Sequence, residues 1–166
     1  MSTNPLKDKT CFFTGHRDIP PDQYPAVQKK IEQAVQNLIA QGVQYFGVGG
    51  AMGFDTLAAF TVLQLKKEHP DIRLALILPC KNHDFSWQGE DQHLLNKMKT
   101  QADKVVYLAE RYYSGCMYKR NRHMADSSGW AIVYLDRETG GTAYTVSYAK
   151  SVGVRIINLA EETPTE

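Results

Sequence analysis

No apolar run in this 166-residue chain approaches the roughly twenty residues that a membrane-spanning helix needs, so a helical membrane protein is not expected. Cysteine is scarce. Cys11, Cys80 and Cys116 form no C-x-x-C pair and leave one odd, which argues against a disulfide framework. Cys80 and His83 have a ligand-like spacing, but no second pair completes a four-ligand set, and no metal is expected. Charge of one sign is missing too: 19 basic against 18 acidic side chains leave +1, without the excess of a dedicated nucleic-acid binder. There is no G-x-x-x-x-G-K-[ST] loop, so P-loop nucleotide hydrolysis is not expected. The dinucleotide fingerprint G-x-G-x-x-G is absent as well, although Gly47, Gly49, Gly50 and Gly53 come close, and nicotinamide-dependent hydride transfer is not expected. Met1 to Lys9 is polar, without the apolar core of a secretory signal; with unpaired thiols it points to a cytoplasmic setting.

Hydrophobic residues at 43% and charged residues at 22% are ordinary for one soluble globular domain of this length. The expected organisation is a polar tail over residues 1–9, a folded domain over 10–160 and a frayed tail over 161–166. Strands are expected at Thr10–Thr14, Gln44–Val48, Ile72–Leu78, Lys104–Ala109, Trp130–Leu135 and Val154–Leu159, mostly as continuous apolar runs. Helices fill the gaps. Val27, Ile31, Ala34, Val35, Leu38 and Ile39 repeat at helical spacing after Pro25, and Gly42 supplies the stop. Phe54, Leu57, Ala58, Val62 and Leu65 mark a second helix, Asp91–Ala102 a third, Met117–Ser127 a fourth and Thr142–Ser151 a fifth. Asp18 to Tyr24, with Pro20 and Pro21, is read as irregular, and Lys81 to Gln88 as a polar loop holding Phe85 and Trp87. Strictly alternating strands and helices imply an α/β fold: a single-domain, Rossmann-like, mostly parallel doubly wound sheet with helices on both faces.

Ligands of such sheets bind beyond the carboxyl ends of the strands, and the unusual residues of this chain fall there. Gly15, His16 and Arg17 follow the first strand; Gly49, Gly50, Ala51, Gly53 and Asp55 follow the second. Asp136, Arg137, Gly140, Gly141 and Thr142 follow the fifth. Glycines before a helix let a ligand approach the main chain, and the helix N-terminus offers N–H groups and a positive dipole end to an anion. The plain alternative for either loop is a tight turn, with Thr142 as a cap. Arg17 and Arg120 have the forked donors that phosphate recognition favours. Met117, Arg120, Asn121 and Met124 share one helical stripe, so its Arg and Asn must be paired or face a cavity. His16, Asp55, Arg120 and Asp136 are the catalytic candidates. Against these stand a surface histidine, and an aspartate that merely favours a helix dipole. Trp87, Tyr112 and Tyr113 can stack on a base or pack under loops.

Together, Phe13–Arg17, Gly49–Asp55 with Ala58 and Ala59, Met117-x-x-Arg120-Asn121-x-x-Met124, Asp136 and Gly140–Thr142 resemble the SLOG superfamily of Rossmann-like proteins, in its YpsA-like branch. The resemblance spans Thr10 to Leu159. It implies a bacterial protein binding a nucleotide or nucleotide-derived ligand, mononucleotide or ADP-ribose-like, in a sensing or regulatory role. Gly49, Gly50, Gly53, Gly140, Gly141 and Thr142 would then hold phosphate, with Arg17 and Arg120 neutralising charge. It also implies self-association as a dimer or higher homo-oligomer.

Two related groups supply alternatives. Lonely-guy phosphoribohydrolases cleave a nucleotide's N-glycosidic bond with a Met-x-x-Arg-Lys helix and a P-G-G-x-G-T-x-x-E loop. Here Arg120 matches, Asn121 replaces the lysine, and Thr145 stands where the acid should be. The DNA-processing protein DprA has a glycine loop like Gly50–Asp55. Single-strand DNA binding is therefore a third expectation, supported by the basic, aromatic segment Arg111, Tyr112, Tyr113, Tyr118, Lys119, Arg120 and Arg122.

Overall fold

A computed structural model describes residues 6–84 and 86–161. Phe85 and the outer parts of both expected tails lie outside the described residues. Six strands form one parallel sheet: β1 (Thr10–Gly15), β2 (Tyr45–Val48), β3 (Arg73–Leu78), β4 (Lys104–Tyr107), β5 (Trp130–Tyr134) and β6 (Arg155–Asn158). Their spatial order is β4-β3-β2-β1-β5-β6. Five helices connect them: α1 (Tyr24–Ala40), α2 (Phe54–Lys66), α3 (Gly89–Gln101), α4 (Cys116–Asp126) and α5 (Gly141–Ser151). The Rossmann-like reading holds, and every strand and helix expected from the sequence is present.

Period-two alternation divides the strand side chains between two cores. Cys11 and Phe13, Leu74, Leu76 and Leu78, and Ile132 face α1, α2 and α3. Phe12, Ile77, Ala131 and Val133 face α4 and α5, against Met124, Ala125, Val146 and Ala149. Burial on both faces explains why the strands read as unbroken apolar runs.

Boundaries move at places where local chemistry decides. Pro21–Gln23 forms a 3-10 turn, and α1 begins at Tyr24 with Pro25 in its first turn. Helix α3 starts two residues early at Gly89, and β4 stops at Tyr107 rather than Ala109. Lys7–Lys9, within the expected polar tail, makes a 3-10 turn whose Lys7 carbonyl accepts the Gly129 N–H at 2.7 Å. No helix among the described residues is long and apolar enough to cross a membrane.

The chain runs outward from β1 to β4, then returns to the other side of β1. The direction therefore reverses between β1 and β5, where a crevice must open at the strand ends. Their register runs from Cys11↔Trp130 to Gly15↔Tyr134, so the loops that follow both strands emerge side by side.

Candidate functional site

A cleft of about 460 Å³ opens at that reversal point, within the range of small-molecule sites. It is lined by Gly15, His16 and Arg17 after β1, Ala51 and Asp55 at the start of α2, Arg120 and Asn121 on α4, and Gly140, Gly141 and Thr142 entering α5. Ten of the residues expected at the site thus converge from four separate segments. Gly49, Gly50 and Gly53 do not line it. Gly49 and Gly50 are buried, and a Cβ on Gly49 would sit 2.7 Å from the Arg120 guanidinium carbon. The first glycine loop therefore makes room for protein atoms, whereas nothing lies within 4 Å of a Cβ built on Gly140 or Gly141.

Arg120 forms the base of the cleft at 5% exposure. Its Nη1 donates to the carbonyls of Gly49 and Ile77, the latter at 3.3 Å, and its Nε donates to Asn121 Oδ1 at 2.7 Å. Among the described residues Nη2 meets only the Met117 sulfur, at 3.7 Å. Dipoles rather than a paired carboxylate thus hold the charge. Burial lowers the Arg120 pKa, and the Asp55 charge partly restores it.

Asp55 is 6% exposed, with Oδ2 accepting the Ala51 N–H at 3.1 Å. Burial pushes its pKa up to about 6, against the pull of Arg120 and Arg17. An acid whose folded pKa lies above its ordinary 3.8 makes the fold lose stability as pH rises between those values, and the deficit persists above 6. Asp55→Asn should therefore stabilise the protein at pH 8, on the order of 2–3 kcal/mol, with the gap closing as pH falls toward 4. Urea denaturation at both pH values checks this; an unchanged or lowered midpoint at pH 8 would contradict it.

Asn121 and Thr145 satisfy one another. Asn121 Nδ2 donates to Thr145 Oγ1 at 2.9 Å, and that hydroxyl donates to the Gly141 carbonyl at 2.9 Å. Thr145 is 1% exposed, so the position of the hydrolase-type acid is a closed neutral link between α4 and the first turn of α5.

His16 is a strut. Its Nε2 accepts the Asp136 N–H at 3.1 Å, tying the end of β1 to the loop after β5. The Asp136 carboxylate lies 3.0 Å from the same nitrogen, but only an unprotonated Nε2 can accept the N–H. Burial and then the Arg137 charge lower the His16 pKa, favouring that neutral form. Asp136 is outside the cleft lining. It accepts Arg137 Nε at 2.9 Å, while Arg137 Nη1 reaches Asp18 at 3.2 Å. Arg137, a rim cation that lines the cleft, was noted after the fifth strand but given no ligand role. Its position after β5, beside Asp136, was the available signal.

The aromatic candidates fall in different places. Trp87 lines a separate pocket of about 110 Å³ with Tyr24, Met52 and Asp91, and Tyr112 and Tyr113 are exposed away from the cleft lining. Tyr118 is the aromatic at the cleft mouth. His83 packs edge-on to Trp87 at 5.3 Å, and neither ring nitrogen completes a hydrogen bond to the described residues. Among the described residues no group of three or more His, Cys, Asp or Glu is placed to hold a metal ion.

The sequence profile of the YspA SLOG family matches residues 14–155, from the end of β1 to the start of β6. The chain belongs to that family. Its relatives include a UPF0398 protein of Halalkalibacterium halodurans, 30% identical over 142 residues that cover 84% of this chain and 72% of the relative. The SPbeta prophage-derived protein YoqJ of Bacillus subtilis is 28% identical, over 75% of this chain and 80% of its own. Among solved structures, DNA processing protein A of Streptococcus pneumoniae superposes with a TM-score of 0.65 at 19% identity, over 91% of this chain and 50% of that one. The Helicobacter pylori protein of the same name gives 0.64 at 18%, over 91% and 65%. The SLOG chain thus spans half to two thirds of those proteins, and at these identities the likeness is one of fold.

Proposed function

We propose that the cleft binds a phosphorylated nucleotide or nucleotide-derived ligand in a sensing or regulatory role. The phosphate would rest on the N-terminus of α5 at Gly140, Gly141 and Thr142. The observation that carries this reading is the buried Arg120 cation, held by backbone carbonyls and in no direct ion pair, in the cleft that also opens on a glycine-lined helix start. Arg17 and Arg137 add charge at the rim, and Asn121 and Asp55 offer polar contacts to sugar or base.

Calorimetric titration with mononucleotides and ADP-ribose tests the reading, with Gly141→Asp as the decisive variant. A side chain there meets open space, and an aspartate in the first turn suits the helix dipole, so the fold should hold or gain slightly. Its carboxylate would occupy the phosphate position, and affinity should fall at least about thirtyfold, near 2 kcal/mol. Unaltered affinity in a folded Gly141→Asp protein would sink the proposal.

Two further readings have observations of their own. Asp55, with a pKa raised to about 6, has the tuning of a general acid or base, which favours nucleotide N-glycosidic hydrolysis. The closed Asn121–Thr145 link weighs against it; free base in the titration mixture, lost in Asp55→Asn, would promote it. The H. pylori structure concerns a single-stranded DNA binding mode of its protein. Exposed Tyr112, Tyr113 and Tyr118 near Lys119 and Arg122 would suit a strand here. Oligonucleotide binding with a steep salt slope, uncontested by mononucleotides, would favour that reading.

A further inference from the structure

Tyr118 lies on the first turn of α4, 44% exposed, at the mouth of the same cleft that Gly140, Gly141 and Thr142 close on the α5 side. The cleft's other rings, Phe13 and His16, are buried at 0% and 7% exposure and offer a ligand no open face. Tyr118 meets Tyr144 of α5 with ring centroids 4.8 Å apart and planes at 78°. Arg122 Nη1 donates to the Tyr144 hydroxyl at 2.9 Å and holds that ring in place. In such an edge-to-face pair, one ring gives its edge and the other one face. Whichever role Tyr118 takes, at least one of its faces remains uncovered by Tyr144. The ring is braced, partly wet and beside the helix start assigned to phosphate. Bracing lowers the entropy lost when a second flat group stacks on it.

We infer that Tyr118 is the base-stacking residue of the cleft and that it makes the site selective for purine over pyrimidine nucleotides. The inference rests on the phosphate reading above and adds the base to it. A two-ring purine overlaps a phenol ring more fully than a one-ring pyrimidine does, so stacking at this position discriminates by size without reading base edges.

The test is calorimetry on the full chain with AMP, UMP and ribose 5-phosphate, for the wild-type protein, Tyr118→Ala and Tyr118→Phe. Wild-type protein should bind AMP more tightly than UMP. Tyr118→Ala should weaken AMP by roughly ten- to a hundredfold, the range covered by removal of one stacking partner. It should narrow the AMP–UMP difference and leave ribose 5-phosphate unchanged, while Tyr118→Phe keeps the wild-type pattern. The inference is overturned if Tyr118→Ala leaves AMP affinity intact, or weakens ribose 5-phosphate by the same factor. It is equally overturned if that variant changes only the oligomeric state, which would assign the Tyr118–Tyr144 edge to self-association. Binding of none of the three compounds by wild-type protein would instead overturn the phosphate reading, and the stacking inference with it. Ribose 5-phosphate binding thus separates the two failures.

Discussion

Arg120→Met should lower the stability of the protein by about 3 kcal/mol and reduce nucleotide affinity by two orders of magnitude or more. Exchanging a buried ion pair for apolar side chains is often neutral, because both charges leave together. Here the partners stay behind. The Gly49 and Ile77 carbonyls are backbone at the ends of β2 and β3, and the Asn121 amide that presents Oδ1 is held by the bond its Nδ2 donates to Thr145. Each buried acceptor without a donor costs about 1–3 kcal/mol, and the two carbonyls are buried while Asn121 Oδ1 is partly so. Relief from burying the guanidinium offsets part of the sum, which leaves the intermediate figure. Arg120→Lys should recover little, since one ammonium cannot serve acceptors arranged around a planar fork. Urea denaturation measures the stability term and calorimetry with a mononucleotide the affinity term. A methionine variant as stable as the parent would mean that the dipoles around Arg120 reorganise freely. An unchanged affinity would remove the cation from the binding argument.

The same residue shows how far the sequence can be read. A stripe of Met117, Arg120, Asn121 and Met124 demands that its polar members be paired or face a cavity, and Arg120 does both. The sheet was legible because its strands are buried on two faces, so their apolar runs announce a parallel sheet. The reversal point was legible in outline, since glycines and charged residues cluster after β1, β2 and β5. Which glycines face a ligand was not, because Gly49 and Gly140 are alike in sequence. They differ in what stands 3 Å away, which only the packing of α4 decides. The neutral strut made by His16 was hidden for the same reason: its partner, the Asp136 N–H, lies 120 positions along the chain. Trp87 was a candidate for base stacking, whereas Tyr118 stood only within the basic, aromatic segment. The turn that follows β3 sends the first to a different pocket, and α4 brings the second to the cleft.

Gly53 and Asp55 place stability and function two residues apart, and Gly53→Ala should be the most damaging single methyl addition in this loop. Gly53 precedes α2 at φ +72° and ψ −118°, a backbone conformation that side-chain-bearing residues rarely adopt. An added Cβ would also lie 2.5 Å from the Arg17 carbonyl oxygen and 2.7 Å from its Cα. Those are backbone atoms, so no rotamer change relieves the clash. Strain at such a site is of order 1–3 kcal/mol, and displacing the Arg17 backbone adds to it, for an expected loss on the order of 4 kcal/mol. The displaced segment carries His16, whose carbonyl accepts the first N–H of α2 at 3.2 Å, and Arg17 itself, both of which line the cleft. Affinity for a mononucleotide should therefore fall along with stability. Gly42→Ala is the matching control, because Gly42 has φ +97° but nothing within 4 Å of the added carbon. That variant should lose only about 1 kcal/mol and bind as the parent does. Equal losses in the two variants would show that dihedral strain alone governs both positions. A larger loss confined to Gly53, together with weakened binding, is the result expected if contact between the α2 entry and the Arg17 loop sets the shape of the cleft.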